Sequence, residues 1–220
     1  MQASLNVVLF SSSLRKLSTN TGVIRYIMTL APSFPTANFE VQCLTDLPMY
    51  NGDLDPTETR VPSPKVTEWP AAVKTLRSKV EKADLLIFAI SEHNANISPV
   101  LINMISWASR PEKVQINGQE VTIAPIVGKK VVVVSAAGGI GGANAQTKLR
   151  DMAYLKLEFL DLPAGPLYLS VSKPGFFDGN GDVVDEDVKK NVRALVESAI
   201  NVLKKNIRIL VESAIKSLKK

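Results

Sequence analysis

The sequence is poor in the residues that build metal centres and covalent cross-links, since its 220 residues include one cysteine, Cys43, and one histidine, His93. A single cysteine cannot form a disulfide within the chain, which agrees with a reducing compartment, and we expect a cytoplasmic protein. Without a Cys/His cluster, no zinc or other metal site is expected. Cys43 lies in the apolar run FEVQCL, so we expect it to be a small buried hydrophobe.

Long hydrophobic segments are also missing. No window reaches the roughly 18 uninterrupted apolar residues that a transmembrane helix needs. The N-terminal segment MQASLNVVLF lacks the basic region and long apolar stretch of a secretory signal. We therefore expect no membrane span.

The body of the protein has no net positive charge. Residues 189–220 contain nine Lys or Arg and two Glu, whereas residues 1–188 contain 17 basic and 19 acidic residues. The basic character thus belongs to the tail and not to the body of the protein. Because nucleic-acid-binding domains usually carry a basic patch on their folded surface, a nucleic-acid partner is not expected.

Short apolar runs alternate with helical patterns along the chain. The runs cover residues 5–10, 39–44, 84–90, 130–135 and, more weakly, 167–170, and the helical patterns cover residues 20–30, 67–82, 99–109 and 143–155. Runs that are apolar on both faces are typical of a parallel sheet covered by helices. The alternation predicts an α/β domain with a doubly wound five-stranded parallel sheet and helices on both faces. Ligands of such sheets bind beyond the carboxyl ends of the strands, so the loops after the first, third and fourth runs are the candidate site.

One insertion interrupts this order. In residues 114–128, ahead of the fourth run, Asn117-Gly118 lies between apolar residues, which is a strong hairpin signal. We interpret the segment either as an inserted surface hairpin or as a partner contact.

The tail contains a tandem repeat, because residues 191–205 and 206–220 are identical at eleven of fifteen positions. We expect the first copy to complete a domain of residues 1–205, with an apolar stripe against the sheet formed by Val192, Leu195, Val196, Ala199 and Leu203. The second copy predicts an extended C-terminal helix over residues 206–220, with the same stripe at Ile207, Leu210, Val211, Ala214 and Leu218. This extension is either a contact with another subunit or a frayed basic tail.

The first loop, SSSLRKLSTN, combines hydroxyls, one guanidinium and a helix N-terminus. Such a set predicts an anion site, with Ser13 and Ser18 donating hydroxyls and Arg15 meeting a phosphate through two hydrogen bonds. Asn20 either caps the helix or contacts the ligand. The alternative is a serine-rich turn that merely caps a helix. The loop is not the G-x-G-x-x-G of dinucleotide folds, so a mononucleotide such as FMN is favoured.

The other two loops predict a binding place for a flat ring. The third loop, SEHNANISP, offers polar groups at the ligand edge of the sheet, or is simply a polar loop with Ser98 as N-cap and Pro99 at the first helical position. The fourth loop, SAAGGIGGANAQ, has four glycines in five positions, which let a backbone approach a ligand closely.

Together the three loops resemble those of the NADPH-dependent FMN reductase family, which includes quinone, azo and chromate reductases. The family's first loop is G-S-L-R-x-x-S-x-N, and here Ser12 replaces the Gly while the other positions match: Ser13, Leu14, Arg15, Ser18 and Asn20. The family's third loop is P-E-Y-N, and here Ser91 replaces the Pro and His93 the Tyr, while Glu92 and Asn94 match. The segment DLPMYNGDLD and the residues after the Gly-rich loop are also similar, and the resemblance covers about residues 5–200.

The resemblance implies a flavodoxin-like fold and an FMN-dependent enzyme that passes a hydride from NADPH or NADH to a small-molecule acceptor such as a quinone, flavin, azo compound or metal oxyanion. It implies that the phosphate is held by Ser13, Arg15, Ser18 and Asn20. It places two groups around the isoalloxazine: Glu92, His93 and Asn94 on one side, mainly through backbone groups, and Ser135, Gly138, Gly139, Gly141 and Gly142 on the other.

No catalytic side chain is expected, because the cofactor carries the chemistry. His93 then either tunes the flavin or substrate, or fills an aromatic position at the ring edge or a subunit contact. The family's dimers and tetramers imply a homodimer or homotetramer. Two alternatives are a flavodoxin-type electron carrier and an interaction protein that uses its C-terminal helix.

Overall fold

A parallel sheet lies at the centre of the chain, for which a computed structural model describes residues 4–59, 64, 66–160 and 165–218. The strands are β1 (Leu5–Ser11), β2 (Ala37–Val41), β3 (Leu85–Ile90), β4 (Glu92–His93), β5 (Asn96–Ile97), β6 (Glu112–Ile116), β7 (Gln119–Ile123), β8 (Lys130–Ala137), β9 (Glu158–Phe159) and β10 (Leu167–Ser170). The helices are α1 (Thr19–Leu30), α2 (Ala71–Lys82), α3 (Pro99–Ala108), α4 (Ala143–Arg150) and α5 (Glu186–Leu218), with 3-10 turns at Ala31–Ser33, Gly52–Leu54 and Ala153–Leu155.

The strand order of the central sheet is β2-β1-β3-β8-β10, and every pairing in it is parallel. This is the doubly wound, flavodoxin-like order that was predicted. The sheet also contains β9, which no pattern predicted. It pairs with Lys130 and Val131 at the start of β8, and β10 pairs with the end of β8. The fifth position of the sheet is therefore shared by two short strands.

Helices cover both faces of the sheet, because side chains of successive strand residues point to opposite faces. Val7 and Leu9 of β1 belong to a core with α1 and α5, whereas Val8 and Phe10 belong to a core with α2, α3 and α4. All six residues of the central strand β3 are buried. The prediction of apolar runs buried on both faces is thus confirmed for the middle of the sheet.

The edge strand β2 departs from that expectation. It ends at Val41 instead of residue 44, and only Phe39 among its five residues is buried. The prediction that Cys43 is buried is wrong, because Cys43 lies beyond the end of this edge strand and is exposed. Its thiol contacts the Thr45 hydroxyl, with 3.1 Å between Sγ and Oγ1. An edge strand has a neighbouring strand on only one side, so an apolar run there is less buried than the same run in the centre of the sheet.

The inserted hairpin is confirmed. Strands β6 and β7 pair antiparallel around Asn117 and Gly118, whose φ angles of 51° and 77° are those of a left-handed turn. Most of its side chains are at least partly exposed, including Ile116 and Val121.

The long helix α5 contains both copies of the repeat. The stripe predicted for the first copy is confirmed, since its five residues are each at most 3% exposed. The backbone stays helical through the second copy to Leu218, and Ile207 is 42% exposed. The remaining stripe side chains of that copy lie outside the described residues: Leu210, Val211, Ala214 and Leu218. The boundary between a domain and an extension at residue 205 stays a prediction.

Among the described residues, no helix combines the length and apolar character needed to cross a bilayer.

A close contact between α1 and the turn ahead of α5 gives the first testable prediction. A Cβ at Gly22 would collide with the carbonyl of Gly181. We expect Gly22→Ala to lower the free energy of unfolding by about 1–3 kcal/mol, because the overlap outweighs the better helix propensity of alanine. Urea denaturation measures the effect, with Thr29→Ala on the exposed side of α1 as the matched control. A Gly22→Ala variant as stable as the parent would contradict the contact.

Candidate functional site

A cavity of about 280 Å³ opens where the loops after β1, β3 and β8 meet. It is lined by three groups of residues: Ser13, Arg15, Ser18, Thr19 and Asn20 from the first loop and α1; Ser91, Glu92 and His93 from the third; and Ala136, Ala137, Gly138 and Val171 from the strand ends opposite. The structure thus brings together Ser13, Arg15, Ser18, Asn20, Glu92, His93 and Gly138 of the predicted set. The other five predicted residues do not line this cavity: Asn94, Ser135, Gly139, Gly141 and Gly142.

The first loop presents positive charge and hydrogen-bond donors at the start of α1. Ser18 is the N-cap, and its hydroxyl oxygen accepts a bond from the Thr21 N–H at 3.3 Å. The hydroxyl hydrogen stays available to donate, so capping and ligand binding are compatible. The guanidinium of Arg15 is exposed and has no ion-pair or hydrogen-bond partner among the residues that the structure describes. A cation beside the unpaired N–H groups of a helix start is suited to an anion.

Asn20 joins the start of α1 to β8. Its Nδ2 donates to the Ala136 carbonyl at 2.8 Å, and its Oδ1 accepts from the Ala136 N–H at 3.0 Å. The idea that Asn20 caps α1 is therefore wrong, because Ser18 does so and the Asn20 amide is buried against β8. One amide N–H of Asn20 remains for a ligand.

Two of the replacements relative to the family pattern contact each other: Ser12, which stands in place of Gly, and Ser91, which stands in place of Pro. Ser12 Oγ accepts from the Ser91 N–H at 2.8 Å, and the two hydroxyl oxygens are 3.1 Å apart. Ser98 Oγ also donates to the Ser12 carbonyl at 2.9 Å. A proline at position 91 could not donate this N–H, and a glycine at position 12 could not accept it. The two replacements therefore form a matched pair.

The third loop folds into a tight hairpin that sequence reasoning missed. Strands β4 and β5 pair antiparallel around Asn94 and Ala95, whose φ angles are 52° and 56°. Two left-handed residues are the type I′ arrangement, and alanine is strained there because of its Cβ. His93 is exposed at the cavity, whereas Asn94 lies at the exposed turn. The sequence signal was weak, because the favoured residue after Asn in such a turn is Gly and not Ala.

Glu92 connects the third loop to α4. Its carboxylate accepts from the Asn144 side chain at 3.2 Å and from the Ala145 N–H at 3.0 Å, and so caps a helix whose own N-cap, Gly142, has no side chain. Its side chain is thereby engaged with α4. The expectation that Glu92 contacts a ligand through backbone groups stays a prediction.

The glycine-rich loop is packed against the protein over its second half. A Cβ at Gly141 would lie 2.9 Å from the Leu169 nitrogen, and one at Gly142 would lie 2.6 Å from Ser135 Cβ. Ser135 is fully buried, and its hydroxyl donates to the Gly141 carbonyl at 2.6 Å and accepts from Gln146 at 2.9 Å. These glycines thus allow a close approach of the loop to β10 and Ser135, and their assignment to the cofactor stays a prediction.

Gly138 and Gly139 make up the open half of the same loop. Gly138 lines the cavity, and Gly139 lines a neighbouring cavity of about 450 Å³ together with Ile140 and Tyr168.

The segment after β2 is anchored to α3. The Pro48 carbonyl accepts from Asn103 Nδ2 at 2.9 Å and from Trp107 Nε1 at 2.8 Å. Tyr50 donates its hydroxyl to the buried Asp55 at 3.1 Å, and burial raises the pKa of Tyr50 above its usual range. The part of the family-like stretch DLPMYNGDLD from Pro48 to Asp55 is thus held in place by polar contacts at both ends.

A larger groove of about 590 Å³ lies between α2 and the strands β1 and β2. Its lining includes Asn38, the Lys79–Glu40 ion pair and Lys82. None of the three loops contributes to it, so the smaller cavity is the better candidate on chemical grounds. In the part of the chain that the structure describes, no three His, Cys, Asp or Glu side chains are grouped to hold a metal ion.

Comparison with known proteins agrees with this geometry. The model of the NADPH-dependent FMN reductase family matches residues 5–173. The chain is 32% identical over 196 residues to an NADPH:quinone oxidoreductase of Arabidopsis thaliana, covering 88% of this chain and 89% of the relative. It is 32% identical over 198 residues to an NAD(P)H:quinone oxidoreductase of Solanum tuberosum, covering 89% and 91%. The solved structure of FerB, a flavoenzyme NAD(P)H:(acceptor) oxidoreductase of Paracoccus denitrificans, superposes with a TM-score of 0.66 at 26% identity, covering 90% of this chain and 98% of FerB.

The Ser12–Ser91 contact gives a prediction about the coupling of the first and third loops. Ser12→Gly should lower the free energy of unfolding by about 1–3 kcal/mol, because it leaves the Ser91 N–H without an acceptor. Ser12→Gly combined with Ser91→Pro removes donor and acceptor together and should recover about 1 kcal/mol relative to additivity. Urea denaturation of the two single variants and the double variant measures this coupling. Strictly additive losses would contradict a matched pair.

Proposed function

Because the chain belongs to the NADPH-dependent FMN reductase family, we propose that it is an oxidoreductase that uses FMN and either NADPH or NADH to reduce a small-molecule acceptor. One observation carries the proposal. The exposed cation Arg15 and the start of α1 share one cavity with the hairpin after β3 and with Gly138. This arrangement combines an anion site with a backbone-lined slot for a flat ring.

The first loop fits the phosphate end of FMN. A phosphate monoester carries close to two negative charges near neutral pH, and Arg15 can meet it with two parallel charge-assisted hydrogen bonds. Ser13 and Ser18 line the same part of the cavity and donate hydroxyl hydrogens, and Asn20 adds its remaining amide N–H. FMN, when bound, supplies the electron-transfer chemistry. The residues of this chain bind and orient it.

The opposite part of the cavity fits the ring end. Glu92 and His93 offer backbone groups on one side, and Gly138 offers a surface without a side chain on the other. Ser135, Gly141 and Gly142 support this surface from behind, and Asn94 supports the turn. His93 is exposed at the mouth of the cavity, where it either tunes the bound flavin or substrate or fills an aromatic position at the ring edge.

Replacement of Arg15 tests the phosphate site. Arg15→Ala should raise the dissociation constant for FMN by about 10- to 100-fold, because a charge-assisted bond contributes about 1.5–3 kcal/mol. The unfolding transition should not change. Titration of apo protein with FMN measures the affinity, and Lys16→Ala, a neighbouring exposed cation that does not line the cavity, is the matched control. Equal losses in both variants would indicate a general charge effect and not a phosphate contact.

We propose a quinone or a free flavin as the acceptor, because the relatives from Arabidopsis thaliana and Solanum tuberosum are quinone oxidoreductases and the family is one of FMN reductases. We propose that one flat site over the ring serves the nicotinamide and the acceptor in turn. We therefore predict ping-pong kinetics, in which the nicotinamide leaves before the acceptor enters. Initial rates at varied NADPH and quinone should give parallel double-reciprocal lines, and intersecting lines would require that both substrates bind together.

An absorbance spectrum tests cofactor and activity in one experiment. Purified protein should show the two visible bands of oxidised flavin, and these should bleach on anaerobic addition of NADPH. A coloured protein that neither NADPH nor NADH bleaches would support a flavodoxin-type electron carrier. A protein that stays colourless after incubation with FMN would favour an interaction protein that uses its C-terminal helix.

We also propose that the protein is a homodimer or homotetramer and that it acts in the cytoplasm. The single cysteine is compatible with a reducing compartment, and the exposed hairpin β6–β7 offers apolar side chains such as Ile116 for a subunit contact. Light scattering at several concentrations measures the mass, and a monomer at all of them would contradict the oligomer.

A further inference from the structure

The first copy of the repeat fills a groove on one face of the sheet. The groove is formed by that face and by α1, and the helix buries one stripe of apolar side chains in it: Val192, Leu195, Val196, Ala199, Ile200 and Leu203. These residues are each at most 3% exposed. Beyond Leu203, none of the described side chains of α5 is buried.

The second copy repeats the residues that fill this groove. When the sequence is shifted by fifteen positions, five of the six buried residues meet an identical residue: Leu195, Val196, Ala199, Ile200 and Leu203. Val192 meets Ile207, which differs by one methylene. The other differences between the copies fall at Ala194, Asn201 and Val202, none of which is buried in the structure. The repeat thus preserves the docking stripe and varies the side away from the sheet.

The correspondence between the copies extends to the first helical turn of α5, which precedes the first copy. Val188, which is also buried, corresponds to Leu203, so an apolar residue again stands at that position. A helix that begins near Leu203 can therefore present the complete stripe. We propose that the groove accepts either copy, and that the second copy docks in the groove of the same molecule when the first copy cannot.

The chain length permits this exchange. Fifteen residues join the end of β10 at Ser170 to the start of α5 at Glu186, and the exchange would lengthen this connection to about thirty residues. The entropic cost of closing a loop rises only with the logarithm of its length. The displaced first copy would become part of the connection.

Contacts at its N-terminal end keep the first copy in place in the unmodified protein. Asp185 Oδ1 accepts from the Val188 N–H at 2.8 Å, and Asp182 forms an ion pair with Arg25 at 2.6 Å. Gly181 packs against Gly22 of α1. The second copy has no such turn directly before it, so the first copy and not the second occupies the groove in the unmodified protein.

Matched charge substitutions in the full chain test the proposal. Val196→Asp places a carboxylate in the groove, and Val211→Asp does the same at the equivalent position of the second copy. We expect Val211→Asp to leave Tm unchanged and Val196→Asp to lower it by less than half as much as the double variant does. A double variant no less stable than Val196→Asp would overturn the proposal, and so would a Val211→Asp variant with a lowered Tm or mass, which would place the second copy in a contact between subunits.

A thiol probe follows the exchange directly. In a Cys43→Ser background, a cysteine at Ala199 should be unreactive in the parent and reactive after Val196→Asp, whereas a cysteine at Ala214 should react at least tenfold more slowly after Val196→Asp. An unchanged rate at position 214 would overturn the proposal. A doubled mass of the Val196→Asp variant in light scattering would also overturn it, because the second copy would then occupy the groove of another molecule.

Discussion

The reciprocal hydrogen bonds between the Asn20 side chain and the Ala136 backbone determine the geometry of the candidate site. They join α1, which follows β1, to β8, which lies two strands away across β3. This buried amide therefore fixes the loop that carries Arg15 relative to the loop that carries Gly138, in addition to the pairing of β1 and β8 with β3. The third loop is held between them, since Ser12 binds Ser91 on one side and Glu92 caps α4 on the other. Three loops that could move separately are thus connected into one frame.

Most of the fold could be predicted because its signals are local and strong. The runs that became β1, β3 and β8 are almost continuously apolar, which is typical of strands buried on both faces. Asn117-Gly118 predicted the β6–β7 hairpin because a left-handed turn has a clear residue preference. The prediction was wrong where position in the sheet decides burial. Cys43 follows an edge strand, and no local pattern distinguishes an edge from the centre.

The site could be predicted in outline but not in its internal contacts. Arg15 and Ser13 were predicted because a cation and hydroxyls before a helix N-terminus suit an anion, and both line the cavity. Ser135 and Gly142 were assigned to the ligand from the family resemblance, which gave no sign that they pack against each other. A glycine shows that something comes close to the backbone but does not show whether it is a ligand or the protein itself. The role of Glu92 as a cap for α4 depends on residues 52 positions away, which no local pattern reveals.

The length of α5 affects how the molecule moves in solution. Its 33 residues make a rod of about 50 Å, and a domain of about 200 residues has a diameter of roughly 40 Å if its radius of gyration follows the usual scaling. The first part of α5 is packed in the domain, and the rest continues beyond it. A helix longer than the domain that holds it makes rotational diffusion anisotropic and raises the frictional ratio. A single protomer in this conformation would elute from a sizing column ahead of a sphere of its mass, so its apparent size reflects shape as well as the number of subunits.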